Sequence, residues 1–489
     1  MKLPRMHRRS FLKRAGVAFG GTLAAVLAPS VWSAVPGANG DIRVAIIGLG
    51  NKGKQHIEVF SQLPGVRLVA ICDVDPKRLA EQVEKLKGRN LQPIAVTDAR
   101  RILERDDIDA VVVSAPNHWH ALFGIWACQA GKDVYVEKPI SHTIAEGEAL
   151  LKAAKKHQRI MQSGTQYRSD VGLRAAAAWL GEGPIGRPKW GHVVWFERRD
   201  TIGRVAPYTP RGLDYDLYCG PSALAPLTRT NLHYDWHWVW STGNGDLANS
   251  GIHAFDVCRW FAGEPGFPRR TRTIGGRFAW DDAGQTPNTS LTLLEFPRVP
   301  MMIEIRNLPQ QAGLRAMDTH LGIREGIALH FEGGRFVGLR GGGVIYDNDG
   351  KRVRDFAGDG GAGHAANFIK AVRSRRAEEL QAPLAEGHAS SSACELGNIS
   401  WRLGRAATVA ECREAVGAHP GAAEALAALE KNVVANDVSL ERQPFALGPS
   451  IEYRDSRIQS VTGGKRDALD RARALARGAP RKPYEIPYL

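Results

Sequence analysis

The chain has 489 residues, 43% hydrophobic and 24% charged, with a formal net charge of +14. That composition fits two or three ordinary globular domains and excludes disordered, collagen-like and disulfide-scaffold chains. Six basic residues (Lys2, Arg5, Arg8, Arg9, Lys13, Arg14) and no acidic ones fall in the first 34 positions, so the rest carries only about +8, with no dense Lys/Arg run or interleaved aromatics to mark a nucleic-acid surface.

The segment His7-Arg8-Arg9-Ser10-Phe11-Leu12-Lys13, followed by a weakly hydrophobic Ala/Gly-rich stretch to Ser33, resembles a twin-arginine export signal. Gly16, Gly20, Gly21 and Pro29 make it a poor membrane-spanning helix, and cleavage is expected near Ser33 or Ala34. The expected mature protein is periplasmic or secreted and free of the membrane. The six cysteines are scattered without a Cys-x-x-Cys, which argues against a disulfide framework or a zinc ribbon. Twin-arginine export carries folded proteins, so folding in a reducing cytoplasm accounts for unpaired thiols.

From Ile42 the chain alternates short apolar runs (Ile42–Ile47, Arg67–Cys72, Ala110–Ser114, Val134–Val136, Ile160–Ser163) with longer helical patterns, which predicts a doubly wound parallel sheet over residues 41–165. After about Gly164 the runs Trp190–Phe196, Leu291–Phe296, Met301–Ile305, Ile327–Phe331 and Val344–Tyr346 follow one another with no helix between each pair. They predict an α+β domain over residues 166–415 with an open, mainly antiparallel sheet. Helices are expected at Asn249–Ala262, Gly363–Arg375 and Ala422–Asn432, and residues 416–489 read as an extension with a charged helix, Lys465–Arg477, and an extended tail.

The first run leads into Gly48-Leu49-Gly50-Asn51-Lys52-Gly53 and then a helical pattern. In a strand–turn–helix of this spacing Gly48 permits the tight turn, Gly50 admits a pyrophosphate, Gly53 allows close helix–strand packing, and the helix N-terminus presents N–H groups, among them those of Asn51 and Lys52. Twenty residues on, Asp73 ends the second strand, where a carboxylate accepts ribose hydroxyls and repels a 2′-phosphate; NAD is therefore favoured over NADP, although Lys77 and Arg78 lie nearby. Pro116-Asn117-His118-Trp119-His120 and Glu137-Lys138-Pro139 follow where strands four and five should end. With the glycine fingerprint, these motifs resemble the Gfo/Idh/MocA oxidoreductases in order and distance. The resemblance implies an NAD-dependent enzyme with a second, sugar- or polyol-binding domain. It also implies that Asn117 and Glu137 contact the nicotinamide riboside, with His120 in the same loop, and that Gln166 and Arg168 line the nicotinamide pocket. A homo-oligomer is a further expectation from the family.

Oxidising a secondary alcohol needs a base for the hydroxyl proton, and Lys138 is the first candidate, because an ammonium partly desolvated beside a cationic nicotinamide loses its proton readily. Asn249 and His253 stand four apart in Gly243–Asp256. Many dehydrogenases of the family have Asp-x-x-x-His here. With an amide in the first position, His253 must act with Lys138 or with another carboxylate, Asp246 or Asp256. Trp236 and His237, inside an aromatic run from Asn231 to Trp240, suit the C–H faces and hydroxyls of a sugar ring. His118/His120 and His233/His237 have metal-like spacing but no convincing further ligands, so no metal is expected. Three functions stay open: an oxidoreductase acting on a sugar, glycoside or polyol hydroxyl with a retained, recycled NAD; a glycosidase or lyase that oxidises, eliminates and re-reduces; and a non-catalytic sugar-binding relative. Lys138 favours the first over the N-acetylgalactosaminidase branch of the family, whose pattern departs at that position.

Overall fold

The computed structural model describes residues 40–487; the expected export signal lies outside the described residues. The first half contains β1 (Ile42–Ile47), α1 (Asn51–Phe60), β2 (Val66–Cys72), α2 (Pro76–Lys87), β3 (Ile94–Val96), α3 (Arg100–Leu103), β4 (Ala110–Val113), α4 (Asn117–Gln129), β5 (Asp133–Val136), α5 (Ile144–Lys156) and β6 (Met161–Ser163). The strands form one parallel sheet in the order β3-β2-β1-β4-β5-β6. Alternate residues enter different layers: Ala45, Ile47, Val111 and Val113 pack with α4 and α5, while Val44, Ile46, Ala110 and Val112 pack with Ile57 and Phe60 of α1. Both faces are dry, which is why these strands read as unbroken apolar runs. Helix starts follow their caps. Asp75 accepts the amides of Lys77 and Arg78 to open α2, and Thr143 with Glu146 forms a reciprocal capping box on α5.

The second half begins with α6 (Val171–Gly181) and β7 (Pro188–Phe196), then makes a long excursion holding α7 (Tyr215–Cys219). A π-helical turn, Leu247–Gly251, runs into α8 (Ile252–Phe261) where one continuous helix was expected. Then come β8 (Arg270–Gly276), β9 (Thr289–Glu295), β10 (Met301–Arg306), β11 (Glu325–Phe331), β12 (Gly334–Leu339), β13 (Gly342–Tyr346), β14 (Arg352–Ala357), α9 (His364–Ser374) and α10 (Leu384–Arg402). The chain ends with β15 (Arg405–Ala407), α11 (Val409–Val416), α12 (Ala422–Ala435), β16 (Phe445–Leu447), β17 (Ser450–Arg454), β18 (Arg457–Thr462) and α13 (Ala468–Arg477). The sheet order is β14-β13-β12-β11-β7-β10-β9-β8-β16-β15, with β17 joining β8 and β18; β7 and β10 run parallel inside an otherwise antiparallel sheet.

Val193, Trp195, Ile303, Ile305, Ile327 and Leu329 face α8 and Ala393 and Cys394 of α10 across one core. Residues 416–489, expected as an extension with a tail, instead build onto this sheet: Leu426, Leu429 and Val433 of α12 cover Leu291, Leu293 and Met302, and β16 to β18 add strands. Leu426 and Leu429 are fully buried, which stabilises the attachment by about 1.5–3 kcal/mol each. Helix α9 returns to the first sheet, where Phe368 meets Phe60 and Tyr135 at ring distances of 6.4 and 5.9 Å, so the first layer draws on residues far beyond 165.

Candidate active site

Gly48 ends β1 with φ +89°, and a Cβ there would lie 2.6 Å from the Ala115 amide nitrogen. At Gly53 a Cβ would lie 1.9 Å from the Gly48 carbonyl oxygen, so neither position tolerates a side chain. A Cβ at Gly50 would meet only Arg78, 3.9 Å away, because it faces an open cleft. The first turn of α1 has no side-chain cap, leaving its N–H groups for an anion. The cleft, about 1030 Å³, runs over Gly48, Gly50, Asn51, Lys52 and Asp73. The Asp73 carboxylate accepts the Leu49 amide at 2.7 Å and the Asp75 amide at 2.9 Å, so it braces the glycine turn while lone pairs remain for ribose hydroxyls. Burial pushes its pKa upward against those two amides. These residues fit a dinucleotide.

At the ends of β5 and β6, Lys52 Nζ donates to Gln166 Oε1 at 2.9 Å and lies 3.8 Å from Glu137, whose carboxylate meets His56 Nε2 at 2.8 Å. Burial opposes charge on Glu137, but Lys52, His56 and Lys138 outweigh it and hold the carboxyl well below its usual range. Lys138 Nζ donates to the Asn249 carbonyl at 2.7 Å and lies 3.2 Å from its Oδ1. Burial lowers the Lys138 pKa to about 8; Glu137 resists the fall and Lys52 adds to it. His253 follows from α8, with the rings of Tyr167 and Trp195 at 5.3 and 6.2 Å. Its Nδ1 is buried without a partner, and burial, then the Lys138 charge, keep the ring neutral. Asn249 sits in the π turn and His253 in the helix after it; such turns re-aim side chains and are frequent at functional sites.

The excursion after β7 roofs the cleft. Leu217, Tyr218, His233, Tyr234, Trp236 and His237 line the same space as the glycine turn. His233 Nε2 lies 2.8 Å from Asp75, and Trp236 stacks on His237 at 3.7 Å. Trp236 and His237, expected as sugar contacts, thus stand on the wall of the cofactor cleft. Burial lowers the His237 pKa to about 3, and the Lys138 charge bears on it too. Arg199, which no motif marks, holds Tyr234 Oη and Asp246, both at 2.9 Å, and Trp238 donates to the same carboxylate at 2.9 Å.

Arg168, expected in the nicotinamide pocket, is 5% exposed and locked to Asp256 at 2.7 and 3.1 Å and to Glu386 at 3.0 Å, because a buried guanidinium is stable only when paired. Neither proposed carboxylate serves His253, since Asp246 is taken by Arg199 and Asp256 by Arg168 and Ser390. His120 is a strut: its Nδ1 faces Pro139 O at 2.6 Å and its Nε2 faces Ala115 O at 2.7 Å, tying the Pro-Asn loop to the Glu-Lys-Pro loop. Asn117 is 1% exposed; its Nδ2 donates to Asn244 at 2.9 Å and its Oδ1 is unpartnered. Among the described residues all six cysteines are buried and unpaired, and no three His, Cys, Asp or Glu residues gather to hold a metal.

Residues 42–165 match the model of an oxidoreductase family with an NAD-binding Rossmann fold, GFO_IDH_MocA. Among curated proteins, a glycosyl hydrolase family 109 protein of Shewanella pealeana is 33% identical over 187 residues, 34% of this chain and 41% of the relative. An alpha-N-acetylgalactosaminidase of Shewanella oneidensis is 34% identical over 184 residues, 33% of this chain and 40% of the relative. The chain spans about two fifths of these relatives' length. Levoglucosan dehydrogenase in complex with NADH shares the fold, with a TM-score of 0.55 at 19% identity over 73% of this chain and 98% of that one. The glycine turn, the anion-receptive start of α1 and Asp73 lie on the residues that the family model matches, so residues 42–165 form a Rossmann domain similar to the NAD-binding domain of that oxidoreductase family.

Proposed function

We propose that this protein oxidises a secondary hydroxyl of a sugar, glycoside or polyol, keeps its NAD bound through turnover, and works outside the cytoplasm after twin-arginine export. The observation that carries the reading is the cluster at the inner end of the Rossmann sheet: Lys138 with a pKa of about 8, bonded to Asn249, beside a neutral His253 whose Nδ1 lacks a partner. Bound NAD would accept the hydride, and a second, carbonyl-bearing substrate would take it back from the reduced cofactor, so that the cofactor is recycled in place. Lys138 in its amine form takes the hydroxyl proton, Asn249 orients the amine, and His253 Nδ1 meets a substrate hydroxyl. Tyr167 and Trp195 give the ring's C–H surface an apolar wall. Retention of NAD is supported by the roof over the cleft and by the export-like leader, since an extracytoplasmic enzyme has no comparable pool of dinucleotide to draw on.

A second reading is favoured by the names of the curated relatives. In it the ketone made by oxidation acidifies the neighbouring C–H, a base removes that proton, the glycosidic substituent leaves with its electron pair, water adds, and the hydride returns. Lys138 and His253 are two groups able to pass the protons. One experiment decides: gel-filter the enzyme, quantify the dinucleotide released on denaturation, and incubate with glycosides and free sugars without added NAD, identifying products by mass spectrometry. An oxidised sugar supports the first reading and a cleaved glycoside the second. Protein that emerges empty and consumes one added NAD per product sinks cofactor retention.

A further inference from the structure

The roof over the dinucleotide cleft is gripped from outside by the end of the chain. Arg481 donates from its backbone amide to Pro221 O at 2.8 Å, from Nε to the carbonyls of Gly220 at 3.1 Å and Ser222 at 3.2 Å, and from Nη1 to the Asp216 carboxylate at 2.7 Å. The other Asp216 oxygen lies 3.4 Å from Tyr484 Oη. Three of the Arg481 contacts thus fall on the carbonyls of residues 220–222, the stretch that leaves α7, and the fourth holds the Asp216 carboxylate of α7 itself.

The same terminal segment is rooted in the first sheet. Tyr484 and Ile486 are buried in the core shared with Ile47, Val111 and α4. The Tyr484 ring meets Trp119 edge-on at 5.4 Å; Trp119 stacks flat on Phe123 at 4.2 Å and donates its indole N–H to Tyr218 O at 3.1 Å. Trp119, Phe123, Leu217 and Tyr218 all line the cleft. The approach is close: Gly220 has φ +48°, and a Cβ there would lie 2.0 Å from Trp119. Apart from the terminal segment, the polar ties between this roof and the first half include Tyr218 O with His118 and Trp119, and His233 with Asp75.

We propose that the C-terminal segment centred on Arg481 and Tyr484 belongs to the cofactor site, as a latch that fixes Leu217 and Tyr218 over the dinucleotide and sets how slowly NAD leaves. The inference rests on the reading that NAD is retained. A dinucleotide cannot leave until α7 lifts, and α7 cannot lift until Arg481 releases the carbonyls of 220–222 and the Asp216 carboxylate. Arg481 acts through the roof, so it is a positioning residue, and its loss should change cofactor exchange rather than the chemical step.

The test uses the full-length holoenzyme and the variants Arg481→Ala, Arg481→Lys, Asp216→Ala and Lys482→Ala. Measured are NADH dissociation, followed by its fluorescence on displacement with excess NAD, and turnover at saturating added NAD. Arg481→Ala should release NADH about tenfold faster or more, with saturated turnover within about twofold of the parent. Arg481→Lys should restore part of the retention, and Lys482→Ala should leave it unchanged. Asp216→Ala weakens the grip from the roof side and must also speed release, which decides the matter should Arg481→Ala fail to fold. Equal dissociation rates in the parent and these variants overturn the latch. If the parent emerges empty of dinucleotide, cofactor retention fails on its own count, and the ratio of NAD affinities between parent and Arg481→Ala still decides the latch.

Discussion

Lys138 should give the oxidation step a limb that rises with pH. Its amine would ordinarily titrate near 10.5, and burial brings that to about 8. At about pH 7.5 a group titrating at 10.5 is roughly one-thousandth in the base form and one titrating at 8 is about a quarter, a gain of ~240-fold in competent base. The neutral amine takes the proton, so the rate climbs with pH and levels off above about 8. Two neighbours tune the limb in opposite senses. Glu137 favours the ammonium, so Glu137→Gln should shift the limb to lower pH; Lys52 disfavours it, so Lys52→Met should shift it to higher pH. The assay is single-turnover reduction of bound NAD at saturating substrate, read by the absorbance of the reduced nicotinamide from about pH 6 to about pH 10, with cofactor saturating in every variant. A step independent of pH, or two variants that move the limb the same way, refutes Lys138 as the group that takes the proton.

Asp73→Ala removes the acceptor for the Leu49 and Asp75 amides as well as the proposed ribose contacts, and each such charged bond is worth ~1.5–3 kcal/mol. NAD affinity by calorimetry should therefore fall about tenfold or more, with some loss of melting temperature; unchanged affinity takes Asp73 out of the cofactor site. Lys138→Ala and His253→Ala should each cut turnover by about two orders of magnitude with NAD still bound, and the double variant should lose less than the product of the two. Near-parental turnover in either variant leaves that residue a structural role. Arg168→Leu leaves Asp256, 1% exposed, with an unpaired charge and should cost ~3–5 kcal/mol in denaturant unfolding, far more than any change in substrate affinity predicts; a variant as stable as the parent refutes the pairing argument.

The Rossmann half was legible because its signals are local. Gly48 has φ +89° and Gly53 is required by its contact with the Gly48 carbonyl of the turn itself, and β1, β2, β4 and β5 announce themselves as apolar runs because both sheet faces are covered. β3 leaves no such run, since Ile94 and Ala95 are exposed at the sheet edge. Helix α10 carries no local signal for the opposite reason: its buried stretch from Gly387 to Ser400 is rich in Ser, Ala and Gly, with little apolar periodicity. Those small side chains let it pass close to Ser163 at Gly387 and to Leu247 and Thr292 at Gly397, a reason that exists only once distant segments have met. The candidate site divides the same way. Lys138 and His253 could be named from motifs, whereas the fate of Arg168 depended on Asp256 and Glu386, which lie 88 and 218 positions further along the chain. That aromatic rings suit sugars points Trp236 and His237 toward substrate, and the excursion after β7 folds them over the cofactor cleft. The C-terminal segment reads in sequence only as an extended tail; its partners, Asp216 and residues 220–222, lie more than 250 positions away. Periodicity and turn chemistry are properties of neighbours along the chain and determine what kind of element forms. Which charge, ring or carbonyl a side chain finally meets depends on how those elements pack, and spacing in one dimension carries no record of it.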